Sequence, residues 1–246
     1  MNAIPKRLQK EPLIEAIWQV QFESPDAGDV LPGVLFTELK KRHPALQLRR
    51  LPAANIPALV TQIDPNLRYV AKVLMEEPNG QFLWQVGDRV VTINCRKPYA
   101  GWSAFKGAIM ALIQDIETSG LVPKPQRHSL RYLDLLTLTP TPDISPLRLD
   151  IKLGGYETFQ HNLQVRLEIQ EDECIHVLQV VTSANANLPE GNRTGTLIDL
   201  ETSTKNPPHD WEQIRVNLDI LHTQSKEIFF RHILTEATIN KLEPEY

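Results

Sequence analysis

Residues 67–95 read LRYVAKVLMEEPNGQFLWQVGDRVVTINC, and this stretch decides the fold class. Three runs in it are rich in β-branched and aromatic residues, at 67–75, 81–86 and 89–95. The dipeptides Asn79-Gly80 and Gly87-Asp88 separate these runs. Such dipeptides adopt the turn conformations of β-hairpins, and Asn-Gly tolerates the positive φ angles that tight turns require. The stretch therefore predicts three sequential antiparallel strands.

Upstream of these hairpins, the apolar spacing predicts one strand and one helix. Across residues 12–23 apolar and polar residues alternate, which is typical of a strand with one face on a core. Across residues 31–43 apolar residues fall at helical intervals along one face. Pro32 fits the first turn of this helix, and Pro44 follows its end.

Downstream of the hairpins, a helix and a strand lead to a proline-rich segment. Apolar residues step by three and four from Trp102 to Ile116, which predicts an amphipathic helix that Gly120 ends. Residues 127–139 then have the composition of a strand. The prolines that follow form the best candidate for a boundary between two halves of the chain. They are Pro140, Pro142 and Pro146.

The C-terminal half repeats this order loosely. Residues 163–169 alternate, an acidic turn at 171–173 reverses the chain, and residues 175–182 form the next predicted strand. A loop at 191–195 leads to a last strand at 196–201. Asp210 and Gln213 form a capping box at the start of the last predicted helix. This helix extends to residue 243, and neither Gly nor Pro interrupts it. This helix is either continuous or broken near residues 223–225, since Thr and Ser propagate helices less well.

These elements together predict an α+β protein with curved antiparallel sheets packed on long helices. We expect residues 1–246 to form one compact unit. The order of elements suggests two similar β-α-β-β-β-α halves, 1–140 and 141–246. Because the halves share no alignable sequence repeat, this duplication is a topological hypothesis.

The composition is that of a globular protein in a reducing compartment. Of the 246 residues, 41% are hydrophobic, and this fraction excludes disorder. The net charge of −4 argues against nucleic-acid binding by the whole surface. Cys95 and Cys174 have no metal or disulfide spacing, so we expect free thiols. The first residues lack the apolar core of a secretory signal, and no apolar run is long enough for a bilayer. We therefore expect a cytoplasmic protein without a membrane partner.

Three places in the chain carry a family resemblance. They are Pro12-Leu13-Ile14-Glu15-Ala16 followed by Phe22, the box Arg131-Tyr132-Leu133-Asp134, and a final helix with His222 and Phe229-Phe230. In these places the chain resembles a sporadically distributed family of uncharacterised bacterial proteins of about 250 residues with an Arg-Tyr-Ile-Asn box. Asp134 stands where that family usually has Asn. The resemblance implies a single full-length unit and an accessory role such as defence or toxin control.

Arg131 is the first candidate for a binding residue. On a strand it shares a face with Leu133, while Asp134 lies on the opposite face. Its planar guanidinium suits an anionic group of a ligand. The favoured alternative is a partly buried arginine that pairs with a carboxylate of the protein, for which Glu15 is a candidate. Arg131, Asp134 and Glu15 are therefore the candidate binding residues of this region.

A basic cluster lies around the end of the first predicted helix. Its members are Lys40, Lys41, Arg42, Arg49 and Arg50. Cations near a helix C-terminus are stabilised by the helix dipole, which is the favoured interpretation. The alternative is a docking patch for phosphates or for an acidic partner. No aromatic residues are interleaved, as single-strand nucleic-acid binding would need.

The sequence predicts no catalytic residue, metal site or cofactor. Its 7 histidines form neither an HxH nor an HExxH pattern, no serine lies in a Gly-x-Ser-x-Gly elbow, and segment 191–195 lacks the Gly-Lys-Ser/Thr of a phosphate loop. We therefore expect a non-catalytic interaction or binding protein of a bacterial accessory system, with another protein as its partner. Two alternatives remain: a nucleic-acid-binding factor that uses the basic cluster, and an enzyme whose site is assembled from scattered residues.

Overall fold

The computed structural model of the protein describes residues 3–24, 27–57, 60, 63–64, 67–139, 141, 143–156 and 161–246. The strands are β1 (Arg7–Leu8), β2 (Leu13–Phe22), β3 (Gln47–Arg50), β4 (Ala71–Glu76), β5 (Phe82–Gly87), β6 (Val90–Arg96), β7 (Pro125–Leu136), β8 (Gln164–Glu171), β9 (Cys174–Leu188), β10 (Gly191–Thr204) and β11 (Pro244–Glu245). The helices are α1 (Ala27–Arg42), α2 (Trp102–Thr118), α3 (Trp211–Glu227) and α4 (Glu236–Lys241), with a 3-10 turn at Pro52–Asn55 and a π-helical segment at Ile228–Ile233.

Nine strands form one open antiparallel sheet, which confirms the predicted α+β class. Their order is β3-β4-β5-β6-β2-β7-β10-β9-β8, and β1 pairs separately with β11. β2 shows the predicted alternation, because Ala16, Trp18, Val20 and Phe22 are fully buried. Among the helices of the described residues, none combines the length and the apolar character that a membrane span requires.

The chain divides into two compact units, each built from more than one stretch of sequence. The first unit comprises Met1–Glu15, Arg131–Ser203 and Asp219–Tyr246, and the second comprises Ala16–Leu130 and Thr204–Leu218. The division expected at the proline-rich segment depends on Pro140 and Pro142, which lie outside the described residues. The duplicated halves therefore stay a prediction.

In the second unit, the two predicted hairpins are confirmed. β4, β5 and β6 pair antiparallel in sequence order, with Met75 opposite Trp84 and Trp84 opposite Ile93. Asn79 has the expected positive φ of 59°, in a turn closed by a 2.9 Å bond from Gly80 N to Glu77 O. The first strand begins at Ala71 and not at residue 67, because the preceding residues form a turn.

Replacing Gly87 with alanine is expected to lower the free energy of unfolding by about 1–3 kcal/mol, the usual cost of overpacking a filled site. A Cβ at Gly87 would overlap the carbonyl oxygen of Val70. Gly107→Ala is the matched control, since its Cβ position has no neighbour within 4 Å and alanine stabilises a helix by about 0.5–1 kcal/mol over glycine. Urea unfolding compares the two variants, and equal stabilities would contradict the close approach at Gly87.

α1 begins earlier than predicted from Pro32, which we expected in the first turn. It starts at Ala27, so Pro32 lies inside the helix and not in its first turn. The buried residues recur every four positions at Ala27, Leu31, Leu35 and Leu39, so the apolar stripe continues past the proline. Burial of this stripe therefore outweighs the helical hydrogen bond that a proline cannot donate.

α2 matches its prediction more closely. Its buried face comprises Phe105, Ile109, Leu112, Ile113, Asp115 and Ile116. Gly120 follows with a φ of 67°, the left-handed conformation that commonly ends a helix. The strand after it, β7, begins at Pro125, two residues before the predicted start, and ends at Leu136.

In the first unit, the segment predicted as a loop at 191–195 is part of a strand. β10 begins at Gly191, which has a φ of 109°, and continues without interruption to Thr204. A Cβ at Gly195 would lie 2.6 Å from the carbonyl oxygen of Leu136. The glycine thus permits close approach to the neighbouring strand β7, rather than providing a flexible connection.

The C-terminal helix is neither continuous nor broken near residues 223–225, the two alternatives that the sequence left open. Asp210 Oδ1 accepts from Gln213 N at 2.8 Å, which confirms one half of the predicted capping box. In the other half, Gln213 Oε1 accepts from His209 N at 2.8 Å, one residue before Asp210. α3 continues through residues 223–225 into the π-helical segment, and the chain leaves helical geometry at Leu234. There the backbone turns to segment 146–148: Arg148 N donates to Ile233 O at 2.7 Å, and Thr235 N to Pro146 O at 3.1 Å. Tertiary hydrogen bonds, and not helix propensity, place the break.

Candidate functional site

The structure pairs Arg131 with a carboxylate that the sequence did not identify. Arg131 lies on β7 and donates from Nε to Asp199 Oδ1 at 2.7 Å and from Nη2 to Oδ2 at 2.5 Å. Asp199 lies on β10, the next strand of the sheet. The Arg131 side chain is 40% exposed and the Asp199 side chain 10%, so the arginine is partly buried, as the favoured interpretation predicts. Its pairing with a carboxylate is confirmed.

Acidic side chains of the protein itself stabilise the positive charge of Arg131. The hydrogen bond to Asp199 raises the pKa of the guanidinium above its ordinary value, burial opposes this, and the charges of Asp199, Glu201 and Glu15 add to the rise. Glu15, the candidate partner from the sequence, acts on Arg131 through its charge, whereas the bidentate hydrogen bonds go to Asp199. Because Arg131 already pairs with a carboxylate of the protein, the structure does not favour a role for Arg131 as the anchor of a ligand.

Asp134 does not join this group. It lies three residues after Arg131 on β7, and so on the opposite face of the strand. The residue is only 5% exposed. Burial raises the pKa of its carboxyl to about 8, and the charge of Glu11 adds to the effect. Asp134 is therefore largely protonated at neutral pH, as a buried neutral acid.

Three members of the basic cluster are paired with acidic side chains, and two of the three lie in α1. Arg42 donates from Nη1 to Asp115 Oδ1 at 3.1 Å and also bonds the second carboxylate oxygen, which raises the pKa of the guanidinium. Lys41 Nζ lies 2.7 Å from Glu38 Oε2, one helical turn away. These cations are therefore largely neutralised.

The remaining members of the cluster also have local roles. Lys40 Nζ lies 5.2 Å from the ring centre of Phe36, in a cation–π contact. Arg49 Nη2 lies 3.3 Å from Glu76 Oε1, across the β3–β4 pair. Arg50 is exposed. With four of five side chains engaged, the geometry favours the structural interpretation of the cluster over a docking patch for phosphates.

A serine, a threonine and a histidine form a buried hydrogen-bonded chain. Ser225 Oγ donates to Thr202 Oγ1 at 2.8 Å, and Thr202 Oγ1 lies 2.9 Å from His176 Nδ1. Serine and histidine are the residue types of a nucleophilic site. Here Ser225 is 2% exposed, and Thr202 and His176 are fully buried, so all three side chains lie away from the surface. These hydrogen bonds connect α3 to β9 and β10 in the core.

A polar contact joins two of the segments that carry the family resemblance, the box at 131–134 and the final helix. Tyr132 of the box lies with its hydroxyl oxygen 3.0 Å from Nδ1 of His222 on α3. Burial, with a smaller contribution from the charge of Lys226, lowers the pKa of His222 to about 4. The imidazole is therefore neutral at physiological pH, and the contact joins β7 to α3.

A cleft of about 530 Å³ lies beside the π-helical segment, within the first unit. We call it the π-helix cleft. Its lining includes Arg148, Phe230, Arg231, His232, Ile239 and Asn240. The volume falls in the range of roughly 300–1,000 Å³ that ligand pockets occupy.

The break in the C-terminal helix builds this cleft. Leu234 N donates to Phe229 O at 3.0 Å, five residues back, which is the π-helical pattern. The Leu234 carbonyl accepts from Arg148 Nε at 2.8 Å, which holds the Arg148 stem at the cleft wall. Arg231 on the π-helical segment lies 3.5 Å from Glu227. π-Helical turns occur frequently at functional sites, because they displace side chains from regular helical positions.

The π-helix cleft combines hydrogen-bond donors with an apolar wall. The cations Arg148 and Arg231 and the amide of Asn240 contribute donors, and Glu236 contributes a carboxylate. Phe230 and Ile239 are both 9% exposed and supply apolar surface. Such a lining suits an anionic group that is attached to an apolar body.

Sequence reasoning did not find this cleft. Its residues come from three distant parts of the chain, and each looks ordinary in its own segment. Arg231 and His232 lie in a stretch whose spacing fits a regular α-helix. The only local signal is the density of bulky residues at 228–234, which does not distinguish a π-helical segment from a buried α-helix.

A scan against protein-family models and a search of curated proteins both return no match. Among the residues that the structure describes, no three His, Cys, Asp or Glu side chains gather into a group fit to hold a metal ion. The case for a function therefore depends on the geometry of the π-helix cleft.

Proposed function

We propose that the protein is a non-catalytic binding protein that receives an acidic segment of another protein in the π-helix cleft. The observation that carries the proposal is the lining of this cleft, where Arg148, Arg231 and Asn240 face a volume of about 530 Å³ with apolar walls. Guanidinium groups bind carboxylates with charge-assisted, often bidentate hydrogen bonds. The family resemblance extends the proposal to an accessory system of defence or toxin control.

An acidic protein segment fits this lining better than nucleic acid does. Three of the five cations of the basic cluster, which would have to follow a phosphate backbone, are paired with Glu38, Asp115 and Glu76. The cleft is compact, and its apolar wall offers a site for a hydrophobic side chain beside the carboxylate. A nucleic-acid groove instead presents a continuous line of cations along the strand.

Replacing Arg231 with alanine is expected to weaken the binding of an acidic peptide by about tenfold, the effect of losing one charge-assisted hydrogen bond. The probe is a fluorescently labelled peptide that alternates glutamate and phenylalanine, and fluorescence anisotropy gives its dissociation constant. Arg193→Ala is the matched control, since Arg193 is exposed in the same unit and does not line the cleft. It should leave the dissociation constant unchanged.

Three outcomes of this experiment have different meanings. Selective weakening by Arg231→Ala supports the proposed site. Equal weakening by both variants would indicate general attraction between charges and would contradict the site. Tighter binding of a single-stranded oligonucleotide of equal charge, with a steep salt dependence, would instead favour the nucleic-acid alternative.

A further inference from the structure

The strand β8 forms an open end of the nine-stranded sheet. It is the last strand in the sheet order, and its inner edge pairs with β9 from Gln164 opposite Val181 to Glu171 opposite Cys174. No strand of the described residues pairs with its outer edge. Soluble proteins usually protect such an edge, because its unpaired backbone groups are a template for another strand.

Backbone geometry shows which residues of β8 face outward. Thr182 N donates to Leu163 O at 3.0 Å, and Leu163 N donates to Thr182 Oγ1 at 2.8 Å, so Leu163 directs both backbone groups toward β9, as in a hydrogen-bonded pair. Hydrogen-bonded and non-hydrogen-bonded pairs alternate along an antiparallel ladder. The odd-numbered residues of β8 therefore direct their N–H and C=O groups toward β9. The even-numbered residues direct theirs to the open edge, and they are Gln164, Arg166, Glu168 and Gln170.

We propose that β8 is a dimerisation edge, on which a second copy of this chain adds its own β8 antiparallel about Leu167. In this register Arg166 lies opposite the second copy's Glu168, and Gln164 opposite its Gln170. These are the residues whose backbone groups face outward. Four hydrogen-bonded pairs, each exchanging two bonds, give about eight backbone hydrogen bonds between the copies.

Charge complementarity selects this register over its neighbours. A two-fold axis at residue 166 or at residue 168 would place Arg166 opposite Arg166, or Glu168 opposite Glu168. Like charges directly opposite each other destabilise a strand pair, whereas opposite charges stabilise it. The axis at Leu167 gives two Arg–Glu pairs that are related by symmetry.

The apolar face of β8 agrees with the same pairing. Val165, Leu167 and Ile169 share one face of the strand, and Leu167 is 39% exposed. Pairing about Leu167 places the two Leu167 side chains side by side, with each Val165 opposite an Ile169. A face that is partly exposed in one copy thus becomes a shared apolar patch in two.

The other end of the sheet lacks these features. β3 has four residues, all exposed, and two of them are the adjacent cations Arg49 and Arg50. A short strand with like charges is a protected edge. Self-pairing is therefore expected at β8 and not at β3.

Charge reversal on β8 tests the proposal through the oligomeric state. Sedimentation velocity across a concentration series should show a reversible dimer for the wild-type chain. Arg166→Glu should weaken dimerisation by about tenfold, and so should Glu168→Arg, because each sets like charges opposite one another. The double variant with both changes restores opposite charges and should restore the dimer. Arg193→Glu, on an exposed residue outside β8, is the control and should dimerise normally.

A cysteine substitution tests the register itself. The two copies of residue 167 would form a non-hydrogen-bonded pair with Cα atoms about 4.5 Å apart, which suits a disulfide. Leu167→Cys should therefore cross-link into a covalent dimer under mild oxidation, whereas Ile169→Cys should not. Cys95 and Cys174 are buried and do not interfere. A wild-type chain that stays monomeric at every concentration, or a charge-swapped double variant that fails to recover, would overturn the proposal. Equal cross-linking at residues 167 and 169 would overturn the register.

Discussion

Arg131→Ala is expected to unfold with a free energy about 2–3 kcal/mol below that of the wild type, less than the 3–5 kcal/mol typical of a broken buried ion pair. The loss is smaller because the Arg131 side chain is 40% exposed, and water screens a half-exposed charge. It remains substantial because the Asp199 side chain, only 10% exposed, would lose its bidentate partner. Urea denaturation at pH 7 measures the difference.

Two further variants separate this explanation from a general loss of packing. Adding Asp199→Asn to Arg131→Ala should recover part of the stability, because it removes the charge left without its partner. Arg49→Ala breaks an ion pair whose arginine is 65% exposed, and it should cost less than about 0.5 kcal/mol, as surface substitutions usually do. If Arg131→Ala proves as mild as Arg49→Ala, the pair with Asp199 does not hold β7 and β10 together.

Local signals are sufficient to predict much of this fold. Turn chemistry around Asn79 and Gly87, with β-branched and aromatic flanks, predicts β4, β5 and β6 within a few residues. Helical spacing and Gly120 likewise predict both ends of α2. In each case the information lies within one element, since the turn residues and the apolar period are read from neighbours in sequence.

The failures occur where distant segments decide the local structure. Segment 191–195 has the composition of a loop, yet it is a strand because Gly195 accommodates the backbone at Leu136. The C-terminal helix breaks at Leu234 because segment 146–148 supplies hydrogen bonds there. No helix propensity encodes either contact, so single-sequence reasoning misses both.

The candidate binding residues also divide into features that the sequence predicts and features that depend on the fold. Residue chemistry predicts that Arg131 is paired with a carboxylate, but strand order decides that the partner is Asp199. Arg148 and Arg231 become part of one cleft lining only after the chain has folded. The outer edge of β8 is the intermediate case: its alternating charges are visible in the sequence, but their meaning depends on β8 being the last strand of the sheet.

Asp134→Asn is expected to stabilise the protein increasingly as the pH rises. Burial raises the pKa of Asp134 to about 8 from the ordinary 3.8. Between these values the folded protein keeps a proton that the unfolded chain has lost, so wild-type stability falls by up to about 1.4 kcal/mol per pH unit. Asparagine keeps a donor and an acceptor, as a protonated carboxyl does, but does not titrate. We expect near-equal stabilities at pH 4 and an advantage for the variant of about 2–5 kcal/mol at pH 8.

Urea unfolding of both proteins between pH 4 and pH 9 isolates this effect from that of the buried histidines. Burial lowers the pKa of His128 and of His222 to about 4. The stability that these histidines contribute is therefore present above pH 6.5 and lost as the pH falls toward 4. Because both proteins share this loss, it cancels in their difference. Wild-type stability should then be greatest near pH 6.5, whereas the Asp134→Asn curve should stay level from pH 6.5 to 8. A stability difference that does not change with pH would mean that Asp134 ionises normally in the folded protein.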